Sequence, residues 1–309
     1  MKKRPQVLLL GNGVNQAYGG INWKTLLDKI AIRHDFDIEK MKSPYPLQAI
    51  LLTNDKIKEA IDNQSDIFYG SIKSVQHSEV IKTILKSGFD DILTTNYSYE
   101  LEAVALGVSE IDQRRTRKIA RMQKFTGDHP EKQYLLHTYN EVKYENSSNR
   151  VWHIHGESRK KDSMILGHYW YGNQLCRVKD LVNDRKSLYK DYITSGKPLA
   201  RESWVDSFIL GDIYVLGFGY DVSEFDLWWL LNRKVRENAQ TGTVYFYEPE
   251  SEQNKEKTEL LRLMKVEVIN LGRKQSNDTN IEFDFQEFYV EAIADIQDRL
   301  RKQKTDLDL

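Results

Sequence analysis

The feature that most constrains this chain is a short apolar run that ends in a glycine-bracketed turn: Gln6-Val7-Leu8-Leu9-Leu10, then Gly11-Asn12-Gly13-Val14-Asn15. An unbroken apolar run of this length, closed by a turn, reads as a strand buried in an α/β sheet. Gly11 and Gly13 can adopt positive φ and let another group approach the backbone closely. First strands that deliver phosphate loops end in this way. Gly-x-Gly without a third glycine at the dinucleotide spacing fits equally well a tight strand-to-helix turn that holds no ligand.

The pattern recurs along the chain. An apolar stripe of Val80, Ile81, Ile84 and Leu85 runs into Gly88, and Asp91-Ile92-Leu93-Thr94-Thr95-Asn96 follows as a second strand. Leu135-Leu136-His137 and Val151-Trp152-His153-Ile154-His155-Gly156 read as further strands, with a polar loop from Glu145 to Asn149 between them. Asp212 to Gly219, Thr243 to Tyr247 and Val266 to Ile269 complete the set. Helical spacing marks Trp23, Leu26, Leu27 and Ile30 behind the N-cap candidate Asn22. It also marks Phe225 to Leu231 behind Ser223, and the amphipathic stretch from Phe283 to Leu300. Helices alternating with short buried strands predict an α/β fold: a Rossmann-like, mostly parallel sheet with helices on both faces. One domain over 1–309 is expected, with helical insertions near 35–87, 100–134 and 164–204.

Composition narrows the function. A net charge of −1 argues against a generally basic nucleic-acid binder. The run Arg114 to Arg121 reads as a solvated helix face, although phosphate contact is the other use of such a run. Cys176, the sole cysteine, excludes an internal disulfide and a multi-cysteine zinc module, and fits a reducing compartment. The apolar stretch after Met1-Lys2-Lys3-Arg4-Pro5 is too short for a signal peptide, and no run reaches membrane-spanning length. A cytoplasmic protein is expected.

Four strand ends carry residues that suit a ligand site: Gly11-Asn12-Gly13, Thr94-Thr95-Asn96, His155-Gly156 and Gly217-Phe218-Gly219. Ligands of open α/β sheets bind beyond the carboxyl ends of the strands, where strand order reverses. In this order the four motifs resemble the SIR2-like (sirtuin-related) superfamily. Gly20 to Leu27 resembles the Trp-x-x-Leu-Leu helix of bacterial SIR2-like effectors, and Gly219 to Asp226 resembles the loop that follows their last glycine motif. The likeness extends from about Val7 to Val268. It departs from the protein deacetylases in lacking their zinc cysteines and Asp-Phe-Arg loop, in Ser98 where they have aspartate, and in Asn12 where they prefer alanine. These departures point to the SIR2-like enzymes that hydrolyse NAD in bacterial anti-phage defence.

The resemblance implies that Asn96 and His155 are catalytic. Nicotinamide leaves a pyridinium as a neutral ring, so its departure requires no proton, and the site can dispense with the carboxylate pair of ordinary glycosidases. An amide can hold a ribose hydroxyl or the attacking water, and a histidine can act as base at neutral pH. The pyrophosphate would rest on the backbone of Gly11, Asn12, Gly13 and Val14 and at the helix that follows, with Asn15 also binding the cofactor. Thr95 would lie beside Asn96. Gly217, Phe218 and Gly219 would line the adenosine side, and Glu248 would reach an adenine ribose. NAD is expected as substrate and no metal is expected. Plainer uses exist: Asn96 as a helix cap, His155 as a hydrogen-bonded structural histidine. His153 and His155, two apart on a strand, would share a face and suggest a metal pair, but no carboxylate stands nearby at ligand spacing. Activation by homo-oligomer assembly, or by a separate sensor, ATPase or nuclease, is expected of a toxic effector. The alternative is a non-catalytic subunit that binds NAD or ADP-ribose and regulates such a partner.

Overall fold

The computed structural model describes residues 4–308, apart from 113, 127–133, 198, 238–240, 250, 252–253 and 272–282. Its centre is an eight-stranded sheet. The strands are β1 (Gln6–Leu10), β2 (Asp91–Thr94), β3 (Gln123–Phe125), β4 (Thr138–Tyr144), β5 (Ser147–His153), β6 (Asp212–Leu216), β7 (Val244–Tyr247) and β8 (Glu267–Ile269). Their order is β3-β4-β5-β2-β1-β6-β7-β8. From β5 to β8 all neighbours are parallel, while β3 and β4 extend the β5 edge antiparallel. The six parallel strands, counted among themselves, run 3-2-1-4-5-6, the Rossmann order, with its reversal between β1 and β6.

The alternation of the strands fixes both faces. Val7 and Leu9 of β1 point into one core with Trp204, Phe208 and Leu227; Leu8 and Leu10 point into the other with Ile81, Ile84, Phe288 and Ile293. Period-two alternation of a wholly apolar strand therefore requires a helical layer on each face. A third core, built from Leu27, Ile30, Leu52, Ile61 and Phe68, belongs to the helices that follow the first loop, and Tyr97 joins it to the sheet.

Three expectations need correction. Leu135 to His137 lies in a helical turn, Tyr134–His137, and the strand starts one residue later at Thr138. The loop expected over Glu145–Asn149 contracts to a tight turn at Glu145-Asn146, with Glu145 at φ 50°. No glycine marks that turn, so its hairpin signal is weak in the sequence. The helix Phe225–Arg236 is not capped by Ser223: its N-cap is Glu224, and the Ser223 hydroxyl donates to Asp221 at 2.6 Å. Asn22 does cap its helix, accepting from the Thr25 N–H at 2.8 Å.

The segment 164–204, read as an insertion, supplies a layer of the sheet. Val178, Val182 and Tyr189 pack in the same core as β1 and β6. Its Tyr-, Trp- and charge-rich composition obscures a buried stripe only four positions long (Tyr171, Gln174, Val178, Val182), one of them polar. Helix Val75–Lys86 likewise covers the opposite face rather than lying in an insertion.

Lys234 closes the end of helix Trp204–Leu210. Its buried ammonium donates to the carbonyls of Phe208, Ile209 and Gly211 at 3.0, 2.9 and 2.7 Å. Those carbonyls have no intrahelical donors. Lys234→Met is expected to lower the unfolding free energy by about 2 kcal/mol or more, read from urea denaturation, because it leaves buried acceptors without a donor.

Candidate active site

At the reversal between β1 and β6, the carboxyl ends of the strands open into a cleft of about 1460 Å³. That exceeds the roughly 300–1,000 Å³ of ordinary small-ligand sites and leaves room for a dinucleotide. Asn12, Gly13, Asn15, Thr95, Asn96, His155, Gly217, Phe218, Gly219 and Glu248 line it, whereas Gly11 and the buried Val14 stand behind its wall. Neither Gly11 nor Gly13 has a positive φ; Gly217 has, at 66°.

The glycines bring two loops together. The N–H of Gly11 donates to the Leu216 carbonyl at 2.9 Å, and the N–H of Gly13 to the Gly217 carbonyl at 2.8 Å. A Cβ on Gly11 would overlap the Gly217 carbonyl and stand 2.5 Å from Phe218 Cα; one on Gly13 would overlap the Tyr289 hydroxyl. Two of the N–H groups expected to cradle phosphate are thus engaged within the fold. Behind the loop runs a relay of side chains. His77 Nε2 lies 3.1 Å from Asn15 Oδ1, Asn15 Nδ2 donates to Asn12 Oδ1 at 3.3 Å, and Asn12 Nδ2 donates to the Ile21 carbonyl at 2.6 Å. His77 Nδ1 accepts from the Lys73 N–H, so Nε2 carries its proton. Burial, with the Lys73 charge beside it, pushes this histidine down to about 4 and keeps it neutral.

Asn96 follows β2, buried, and its Oδ1 has no partner in the protein. It caps no helix: the next one, Glu100–Ala105, starts after Tyr99. Its backbone is held from both sides. Its N–H donates to Thr94 Oγ1 at 3.1 Å, and its carbonyl accepts from His153 Nδ1 at 2.8 Å. His153 Nε2 in turn lies 3.0 Å from Glu102, so both ring nitrogens donate. Burial opposes the charged ring, but the Glu102 carboxylate outweighs it, with Glu157 and the Asn96 carbonyl adding, and lifts His153 to about 9. A folded value above the ordinary 6.5 stabilises the fold fully below pH 6.5, progressively less up to about 9, and not above. Urea denaturation is expected to show a loss on the order of 3 kcal/mol across that window, absent from His153→Gln.

The two histidines do not share a face as expected. The chain turns after His153, and His155 engages a different pair of carboxylates. Its Nε2 lies 3.1 Å from Asp226 Oδ2, and its Nδ1 lies 3.6 Å from Glu224 Oε2. Tyr171 packs edge-on to the ring, 5.4 Å between centroids. Burial disfavours the imidazolium, but Asp226 and then Glu224 overcome it and raise the ring above its ordinary value. His155 is thus a basic, oriented imidazole at the cleft wall.

Glu248 follows β7 in the cleft and accepts from Asn254 and Lys257 at 2.5 and 2.8 Å. The Ser98 hydroxyl donates to Glu100 at 2.7 Å, which places a carboxylate in this corner of the cleft. The basic run keeps Arg117, Lys118 and Arg121 in solvent and buries Ile119, as a solvated helix face does; only Arg114 reaches the cleft.

The profile of the bacteriophage abortive infection AbiH family matches residues 14–247, from the helix after the first glycine loop to the end of β7. The chain belongs to the AbiH family. No curated protein matches it. Membership places this AbiH protein in defence against bacteriophage by abortive infection. The matched span includes Asn96, His155, Glu224, Asp226 and Gly217 to Gly219. No described helix is long and apolar enough to cross a membrane.

Spacing along the sequence missed Glu102, Glu224 and Asp226. Asp226 and Lys234 do leave a trace there: both fall on the otherwise apolar buried stripe of their helix, with Leu227, Leu230 and Leu231. Charges on such a stripe require partners.

Proposed function

We propose that this AbiH protein is an NAD+ glycohydrolase that depletes NAD+ in infected cells, releasing nicotinamide and ADP-ribose. One observation carries the reading: a single cleft at the sheet's topological switch point gathers Asn96, His155 and the glycine loops of β1 and β6. Cleavage of the nicotinamide–ribose bond develops oxocarbenium character at C1′ while the ring leaves neutral. The site must therefore fix the ribose, orient a water and exclude solvent. The unpartnered Asn96 Oδ1 is placed to accept from a ribose hydroxyl or from the water. Asp226 holds the His155 ring by Nε2, leaving Nδ1 as the base. The pyrophosphate lies against the cleft-lining part of the first loop, Asn12, Gly13 and Asn15, and the adenosine end along Gly217 to Gly219 towards Glu248.

Incubation with NAD+ and chromatography of the products is expected to show nicotinamide and ADP-ribose in equal amounts. Undiminished turnover in both Asn96→Ala and His155→Gln would overturn the roles. Because constant turnover would kill the host, activity is controlled by homo-oligomer assembly or by a separate defence-system protein. An isolated monomer that hydrolyses NAD+ at full rate would overturn that control.

A further inference from the structure

Glu224 is a buried carboxylate in the catalytic corner for which the reaction, as described, has no use. It and Asp226 flank the first residue of helix Phe225–Arg236 and approach His155 from opposite sides of the ring. Asp226 is wholly buried behind the imidazole, whereas Glu224 lines the cleft. One Glu224 oxygen receives the Tyr171 hydroxyl at 3.4 Å; the other, Oε2, faces His155 Nδ1 at 3.6 Å and has no hydrogen-bond partner in the protein. A carboxylate oxygen buried without a donor is costly and calls for a function.

We propose that Glu224 is a catalytic residue, the terminal proton acceptor for His155, and that Asp226 is the positioning residue that aims the ring at it. This rests on the NAD-cleaving reading. In the balanced step, the C1′–N bond breaks with its electron pair going to the nicotinamide nitrogen, which becomes neutral. The oxygen of one water bonds to C1′. The proton that this water loses passes to His155 Nδ1, then to Glu224 Oε2, and leaves through the cleft, so each turnover releases one proton. The hand-off is needed because a ring made more basic by Asp226 gives up its proton less readily. Burial pushes Glu224 up to about 7; His155 opposes this, and Asp226 and Asp221 reinforce it. Tyr171, Tyr97 and Tyr220 also face it, and burial keeps all three phenols protonated. A group that titrates near neutrality can take a proton from His155 and return it to water.

The test compares the full-length protein with Glu224→Gln and Glu224→Ala, following NAD+ binding by calorimetry and nicotinamide release from pH 5.5 to 9. Unaltered protein is expected to gain turnover as pH rises through the neutral range, as Glu224, at about 7, and His155, raised above its ordinary value, lose their protons. Glu224→Gln is expected to bind NAD+ normally, to turn over about 100-fold more slowly, and to show that rise at lower pH, because His155 loses one of the two carboxylates that hold its proton. Formate added to Glu224→Ala is expected to restore part of the rate by supplying the missing carboxylate, which a purely structural role would not allow. Glu224→Gln turning over at the unaltered rate and pH profile overturns the proposal and leaves NAD+ cleavage standing. Glu224→Ala that binds NAD+ poorly and gains nothing from formate overturns it as well. Unaltered protein that binds NAD+ yet releases no nicotinamide, even with extract of phage-infected cells, overturns the cleavage reading and the proposal with it. The donor atoms of His155, Glu224 and Asp226 also lie within 4.8 Å of one another, a spacing that a cation can bridge. Activity lost to a chelator and restored by Mn2+ would make the trio a cation clamp and overturn the relay.

Discussion

His155→Gln is expected to bind NAD+ as tightly as the unaltered protein and to release nicotinamide 100- to 10,000-fold more slowly, the usual range for removing a general base. Glutamine is the informative replacement. Asp226 is wholly buried and takes its hydrogen bond from His155 Nε2. Alanine would leave that charge unpaired and confound a catalytic loss with a folding loss. A glutamine amide can still donate to Asp226 but cannot act as a base at neutral pH. Calorimetric NAD+ affinity and chromatographic turnover, measured on the same preparation, separate the two effects. A parallel fall in affinity and rate would mean that His155 holds the ligand and does not drive the chemistry. Asn96→Ala removes a side-chain oxygen with no protein partner, so the fold is expected to survive while ribose positioning fails.

The second large effect separates glycines that build the site from those that border it. Gly11→Val is expected to cost about 3 kcal/mol or more, seen as a sharp fall in Tm or a failure to accumulate folded protein. The three atoms nearest its Cβ would be backbone atoms of Gly217 and Phe218, which no side-chain rotation can move away. Gly219→Leu is expected to do the opposite. Nothing lies within 4 Å of a Cβ at Gly219, its φ is not positive, and it lines the cleft. This protein should fold with little change in Tm and lose NAD+ binding because the leucine fills ligand space. NAD+ binding unchanged in folded Gly219→Leu would mean that the nucleotide does not occupy this end of the cleft. Gly13 is a poorer probe than its place in the motif suggests, since a Cβ there would displace Tyr289 of the terminal helix.

Legibility in the sequence follows the range over which each signal acts. β1, β2 and β6 are readable because apolar runs and their closing turns are local. Asn22 is readable as a cap for the same reason. The helical turn at Tyr134–His137 is not: its apolar pair fits strand and helix equally, and only packing under Trp204, whose indole N–H donates to the Leu135 carbonyl at 2.9 Å, settles it. Nor is the layer formed by helix His168–Asp184, where Gln174 interrupts the apolar stripe and donates to the Ile154 carbonyl at 3.3 Å.

By itself, the sequence determined an α/β fold, since strands apolar at every position need cover on both faces. It also determined where Asn96 and the two glycine loops of β1 and β6 stand, because turn chemistry is written in adjacent residues. The tertiary structure decided what those residues touch. The Rossmann order brings the ends of β1, β2 and β6 to one crevice, which turns the opening glycine motif into a clasp between β1 and β6. Helix Phe225–Arg236, more than sixty residues beyond His155, brings Asp226 and Glu224 against its imidazole. Burial then sets the basicity of that cluster. No spacing rule along the chain encodes such a pairing, because it exists only once two distant segments have packed against the same sheet.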